Sequence, residues 1–211
     1  MHADGPASDA GPWLDLLDWR RQVAGLYAAV RRDVDDDPVG TLARHRAGRA
    51  ALVGHHPQSP LAPEARGAAD RGLRWWPYRP DLRFTATVIP GPAVNPPLRA
   101  VSGTGEVFDL VVIGALELPV GRLDVYWVDV YGGGLFLPFV DATAGTSSYG
   151  GGRYLLDTVK GADLGSRGAD LVFDFNFAYN PSCAYDPRWV CPLAPTENWL
   201  PVHVAAGEQT P

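Results

Sequence analysis

The residues best suited to chemistry lie in DFNFAYNPSCAYDPRWVCPLAPTENWL, residues 174–200. There Asp174, Asn176, Tyr179, Asn180, Tyr185, Asp186, Glu197 and Asn198 alternate with aromatic and apolar side chains. A carboxylate in such surroundings has its pKa raised and can act as a general acid or base near neutral pH, which makes Asp174 and Glu197 the catalytic candidates. The Tyr179 hydroxyl can donate to an oxygen that gains charge during a reaction. Asn176, Asn180 and Asn198 can orient the polar groups of a substrate. The same residue types also serve a local purpose, because Asx and Glu side chains cap the backbone N–H groups of the loop that carries them.

A second polar cluster consists of Asp141, Thr143, Tyr149 and Arg153, set among Gly145 and Gly150–Gly151–Gly152, where glycine lets backbone approach a ligand or another strand. Arg153 beside Asp141 suits either a ligand clamp or an internal ion pair, since a buried arginine needs a carboxylate partner whatever the function. The glycines are not a phosphate loop, for no lysine followed by serine or threonine comes after them, and no dinucleotide fingerprint is present. No cofactor is expected. Cys183, Cys191 and His203 are soft ligands, but their spacing matches neither a zinc knuckle nor a ribbon, and no metal site is expected. A Cys–His nucleophile pair is weakly supported, and there is no nucleophile-elbow serine. The two cysteines, eight positions apart, can reach one another, and a cytoplasmic location would keep both reduced.

These residues need elements to position them. Five prolines, Pro181, Pro187, Pro192, Pro195 and Pro201, fall in or just after the 174–200 stretch and forbid a helix there. Its aromatic content argues against disorder, so residues 176–200 read as a long ordered loop. Leu16, Trp19, Val23, Leu26 and Val30 recur at steps of three and four after Pro12, predicting an amphipathic helix over 13–32. A weaker pattern predicts a second helix from Val39 to Val53, ending at Gly54. From Leu82 the period changes to two. Strands are expected near 82–88, 98–103, 106–118, 122–131, 134–139, 153–158, 170–176 and 201–206, with turns such as Gly103–Thr104–Gly105 and Gly132–Gly133–Gly134, and a mobile hairpin connection from Gly161 to Gly168. Strands in succession after N-terminal helices imply an α+β fold, mainly antiparallel β. A partly closed β-barrel is the first expectation and a two-layer sandwich the second, with the helices packed on it. Residues 1–11 form a flexible tail. Residues 12–208 form one domain, with a helical part at 12–57 and a β-rich part at 72–208.

DFNFAYNPSCAY (174–185), CPLAPTENWLPVHVAAGE (191–208) and PFVDATAGTSSYGGGRYL (138–155) resemble the signature segments of a bacterial and archaeal family known as domain of unknown function 1684. WLDLLDWRRQ near the N-terminus and SPL at 59–61 resemble that family's early part. The resemblance runs from about Trp13 to Glu208 and implies no activity. Members of the family usually carry a basic residue where this chain has Val140, Phe177 and Trp199. If those positions line one pocket, the resemblance implies exchange of an anionic ligand for an apolar or aromatic one; drift of surface arginines would leave the same pattern.

The net charge is −6, and Arg31–Arg32 is followed at once by Asp33, Asp35, Asp36 and Asp37, so the basic stripe of a nucleic-acid binder is missing. No signal peptide is visible, and no apolar run nears the roughly 20 residues that cross a bilayer. The expectation is a cytoplasmic protein. Its favoured function is small-molecule binding with cofactor-independent acid–base catalysis, an isomerase, cyclase or hydrolase acting on a largely apolar substrate, with a place in specialised metabolism as the expectation. Asp174, Glu197 and Tyr179 are the catalytic set. Asp141, Tyr149, Arg153, Asn176, Phe177, Asn180, Val140, Asn198 and Trp199 are the binding set. The alternatives are a non-catalytic binding or sequestration protein and a homodimeric module with Trp199, Trp189 and Tyr185 as its patch.

Overall fold

A computed structural model describes residues 10–71, 73–91, 98–101 and 107–211. Most of the expected N-terminal tail, residues 1–9, lies outside the described residues, as does the Gly103–Thr104–Gly105 turn. Helix α1 spans Gly11–Asp33 and buries Tyr27 and Val30, while Arg31 and Arg32 in its last turn favour the negative end of the helix dipole. Helix α2 spans Pro38–His55. It starts where Pro38 takes a first-turn position and Asp37 caps it, accepting from the Gly40 N–H at 2.9 Å. Among the described residues no helix is long and apolar enough to cross a membrane.

The strands are β1 (Arg83–Ala86), β2 (Ile89–Pro90), β3 (Leu98–Val101), β4 (Val107–Leu118), β5 (Gly121–Val128), β6 (Gly134–Phe139), β7 (Arg153–Asp157), β8 (Ser166–Arg167) and β9 (Asp170–Asp174). All described pairings between them are antiparallel. One sheet has the order β1-β9-β8. The other has the order β2-β4-β5-β6-β7, with β3 also pairing β4. The fold is therefore α+β with mainly antiparallel strands, and it has two sheets in place of a closed barrel. Two features interrupt the ladders. The register shifts between Val112 and Gly114, where a Cβ on Gly114 would lie 2.5 Å from the Ile89 carbonyl of β2. It shifts again between Leu137 and Pro138, where proline has no N–H to give β7.

Leu116, Leu123, Val125, Leu137, Phe139, Leu155, Phe173, Phe175 and Phe177 form one buried cluster with Tyr27, Val30 and Leu42 of the helices, so helices and sheets share a core. Each fully buried Leu or Phe contributes about 1.5–3 kcal/mol. The outer edge of β7 is closed by the loop, because Tyr154 and Tyr179 exchange backbone hydrogen bonds of 2.9 and 3.1 Å. The 161–168 segment is bonded in at both ends, Ala162 N–H to Asp157 O at 2.9 Å and Val172 N–H to Gly165 O at 3.0 Å. The strand expected at 201–206 does not form. Its carbonyls at Val204 and Ala206 are taken by the Arg153 side chain instead of a neighbouring strand.

Asn198 holds the far end of the loop against the large sheet. Its side chain accepts from Asp124 N–H at 2.8 Å and donates to Asp124 O at 2.9 Å and Pro138 O at 2.8 Å, all in the interior. Asn198→Ala strands these backbone groups and is expected to cost about 2–4 kcal/mol in urea unfolding.

Candidate functional site

In the first cluster, Asp141 and Arg153 form an ion pair at 2.9 Å with both side chains about 1% exposed. Asp141 also accepts from the Thr143 and Val204 N–H groups at 3.1 and 2.8 Å, and from the Thr143 hydroxyl. Arg153 donates to the carbonyls of Val204, Ala206 and Glu208, and its guanidinium lies 5.0 Å from both the Trp76 and Phe139 ring centres. Every described partner of this pair belongs to the fold, so the pair ties β7 to the C-terminal segment. Tyr149 is set apart from it, its hydroxyl donating to Cys183 Sγ at 3.8 Å.

The second cluster is spread over separate places. Asp174 caps the turn at 175–177, accepting from the Asn176 N–H at 3.0 Å and side-chain amide at 2.7 Å. Arg83 Nε lies 3.6 Å from its other oxygen, which has no hydrogen-bond partner among the described residues. Burial raises this carboxyl to about 6, against the hydrogen bonds from Asn176 and the charge of Arg83. Asn176 reaches across to the Arg79 backbone, accepting at 2.7 Å and donating at 2.8 Å. Phe177 is fully buried in the core. Glu197 is exposed, as is Trp199 at 59%, while Val140 and Trp199 are neighbours through a backbone bridge. Phe177 is thus a core residue, whereas Trp199 faces solvent. Of the aromatic residues considered for a dimer patch, Trp189 donates its Nε1–H to Pro60 O at 2.7 Å, and the Tyr185 hydroxyl binds Glu208.

Tyr179 and Asn180 do reach a common place. Between α1, α2 and the loop lies a cavity of about 60 Å³, lined on one side by Trp19, Val23, Leu26 and Leu52 and on the other by Tyr154, Tyr179, Pro181 and Tyr185. Tyr27, His45, Arg49, Lys160 and Ser182 complete the wall. Arg49 is fixed by Glu208, with Nε 3.0 Å from the carboxylate, and stacks 4.7 Å over the Tyr179 ring. The Asn180 N–H donates to the same carboxylate at 2.9 Å, and the Asn180 carbonyl accepts from Arg49 at 3.2 Å. The phenols are already committed as donors. Tyr27 donates to Phe177 O at 3.4 Å, Tyr154 to Pro192 O at 2.7 Å, Tyr179 to Asp157 at 3.4 Å, and Tyr185 to Glu208.

His45 differs from every other wall residue. It is 3% exposed, and neither ring nitrogen has a hydrogen-bond partner among the described residues. Burial, then the charges of Arg49 and Arg46, push its pKa down to about 3, so the ring is neutral. Tyr27, Phe177 and Trp75 meet it in edge-to-face contacts at 5.0, 5.1 and 6.1 Å. A neutral imidazole has one N–H and one lone pair. An aromatic face is negative and can take the N–H weakly, but it offers nothing to the lone pair.

Residues 69–209 match the family described as protein of unknown function (DUF1684). The chain belongs to this DUF1684 family. A solution NMR structure of an uncharacterized protein from Haloarcula marismortui is similar, with 32% identity and a TM-score of 0.55, over 83% of this chain and 96% of that one. No curated protein matches. The family match starts at residue 69, beyond α1 and α2, so His45, Arg49 and Tyr27 lie outside the matched segment while Tyr154, Tyr179, Tyr185 and Glu208 lie within it. Sequence reading missed His45 and Arg49 as site residues. The available signal was their spacing, four apart on one helix face that continues to Leu52 and starts at Leu42.

Two outcomes follow from this geometry. Asp141→Ala leaves the Arg153 charge buried without its partner, and an equilibrium unfolding loss of about 3–5 kcal/mol is expected. The folded Asp174 carboxyl holds its proton up to about pH 6, against 3.8 ordinarily. Its contribution to stability is complete below about pH 4 and is lost as pH rises through 6. The stability of the parent protein relative to Asp174→Asn should fall across that window, on the order of 2 kcal/mol, in denaturant titrations at a series of pH values.

Proposed function

We propose that the protein binds a small, neutral, largely apolar molecule through a hydroxyl or similar donor group placed against His45. The observation that carries this reading is the buried imidazole, neither of whose ring nitrogens has a protein partner among the described residues. A buried acceptor that no protein group satisfies is matched by a ligand that donates. The charge around the cavity favours a neutral ligand. Arg49 and Lys160 oppose a cation in the aromatic wall, and their own carboxylates, Glu208 at 3.0 Å and Asp157 at 3.2 Å, oppose an anion. The phenol oxygens, having donated their protons elsewhere, add acceptors and reinforce the preference for a donor.

The inner cavity has room for about two waters, which suits a compact polar head. An adjoining cleft of about 240 Å³ shares Trp19, Lys160 and Ser182 with it and adds Leu16, Trp189 and Val190, which suits an apolar body. A neutral imidazole with a pKa near 3 is a weak base at neutral pH, so His45 supports binding and not proton abstraction.

A second reading keeps acid–base catalysis at Asp174, whose buried carboxyl, with a pKa of about 6, is that of a proton carrier near neutrality. Asp174→Asn separates the two: it leaves ligand affinity unchanged under the first reading and abolishes turnover of a bound substrate under the second.

The direct test is a titration, followed by protein NMR, of small cyclic and aromatic alcohols against their methyl ethers, which cannot donate. The alcohols are expected to bind at least about tenfold more tightly, as sites built around one hydrogen bond do. His45→Leu should remove that preference and raise the stability of the free protein by about 1 kcal/mol, since it replaces an unsatisfied polar group. Equal binding of alcohol and ether, or a destabilised His45→Leu protein, would contradict the proposal.

A further inference from the structure

We propose that Cys183 and Cys191 form a thiol pair that reacts with small disulfides, with Cys191 as the attacking sulfur and Cys183 as the resolving one. The inference is independent of what occupies the inner cavity. Both cysteines are free thiols, and the loop folds so that the Cys183 N–H donates to Cys191 Sγ at 3.4 Å. This contact brings the Cys191 sulfur beside the main chain of Cys183, where rotation about the Cys183 Cα–Cβ bond sweeps its own sulfur toward it. Cys183 begins from a turn at 182–184 and Cys191 sits just before Pro192, so the eight-residue separation is closed by the loop's own shape.

The surroundings divide the two roles. Cys191 is 3% exposed and lines the 240 Å³ cleft together with Lys160, Arg20 and Ser182, so the cleft is the route by which a reagent reaches this sulfur, beside cationic side chains. The backbone N–H and the cationic neighbours favour negative charge on sulfur, the ordinary condition for a reactive cysteine. Hydrogen bonding from Cys183, with a further contribution from the Lys160 charge, holds the Cys191 thiol below its usual range despite burial. The interaction of its own side chain with the Cys191 side chain, then burial, raises the Cys183 thiol. Tyr149 donates to Cys183 Sγ at 3.8 Å, a long contact that the resolving sulfur leaves when it turns toward Cys191.

The chemistry requires an oxidant, and the one proposed is a low-molecular-weight disulfide. The Cys191 thiolate attacks one sulfur of the small disulfide. The S–S bond breaks, a mixed disulfide forms on Cys191, and the departing thiolate takes a proton from solvent. Cys183 then loses its proton to solvent and attacks the Cys191 sulfur. The Cys183–Cys191 bond forms, and the second small thiolate leaves and is protonated. The protein has lost two electrons and two protons, and the small disulfide has gained both.

The test is intact-mass analysis of the folded protein incubated with oxidised glutathione. The expected product lacks two hydrogens and carries no glutathione, and dithiothreitol restores the starting mass. Cys183→Ser is expected to stop at one glutathione on Cys191. Iodoacetamide under limiting conditions should label Cys191 at least about tenfold faster than Cys183, because Cys191 Sγ accepts the Cys183 N–H and lies in the cleft with Lys160 and Arg20. The proposal is overturned if the parent protein accumulates glutathione on both cysteines, if Cys183 is labelled first, or if neither reacts until the protein is unfolded. The parent protein alone decides between these outcomes, so a variant that folds poorly does not weaken the test.

Discussion

The ion pair between Arg49 and Glu208 is the constraint on which the rest of the site depends. It joins α2 to the C-terminal segment with Nε 3.0 Å from the carboxylate, and the Glu208 side chain is 1% exposed. Glu208 is also where the loop is anchored, through the Asn180 N–H and the Tyr185 hydroxyl, and its own N–H donates to Ala178 O at 2.9 Å. Gly207 makes that approach possible. It has a φ of 80°, and a Cβ there would lie 2.6 Å from the Ala178 carbonyl. Helix, loop and C-terminal segment are thus held around one buried carboxylate, and the cavity is the space they leave between them. A buried pair of this kind is not a large net source of stability, but removing one partner is costly, which makes it a specifier of geometry.

The helices and the long hairpin were legible in the sequence because each rests on a local pattern. Apolar steps of three and four gave α1 nearly to its ends, and alternation gave β4 and β5. What was not legible depended on side chains acting in place of backbone. The 201–206 segment has the composition of a strand, but Arg153 takes its carbonyls and Asp141 its Val204 N–H, so no strand partner is required. Alternation left both a partly closed barrel and a two-layer arrangement open, because it reports which face of a strand is buried and not which strand pairs with which.

The candidate site was legible in part. Within the 174–200 stretch, Tyr179 lines the cavity and Asn180 binds the carboxylate that anchors it. Asn176, Asn198 and Asp141 are polar residues of the same kind, and each is engaged in holding backbone. Sequence cannot separate these uses, since Asx side chains favour local backbone bonds as readily as ligands. Nothing local marks His45, and only the fold brings it against a loop more than a hundred residues away. Its neutrality follows from the same arrangement: burial opposes a proton on the ring, and the arginine that organises the loop adds to it.

The account turns on that neutral, acceptor-bearing imidazole, and long-range proton–nitrogen NMR of the His45 ring tests it most directly. The predicted result is a single neutral tautomer from about pH 8 down to about pH 5, with no uptake of a proton near the ordinary value of 6.5. Its acceptor nitrogen should shift only when an alcohol enters the cavity. A ring that titrates near 6.5, or whose lone pair is already hydrogen-bonded in the ligand-free protein, would contradict the account.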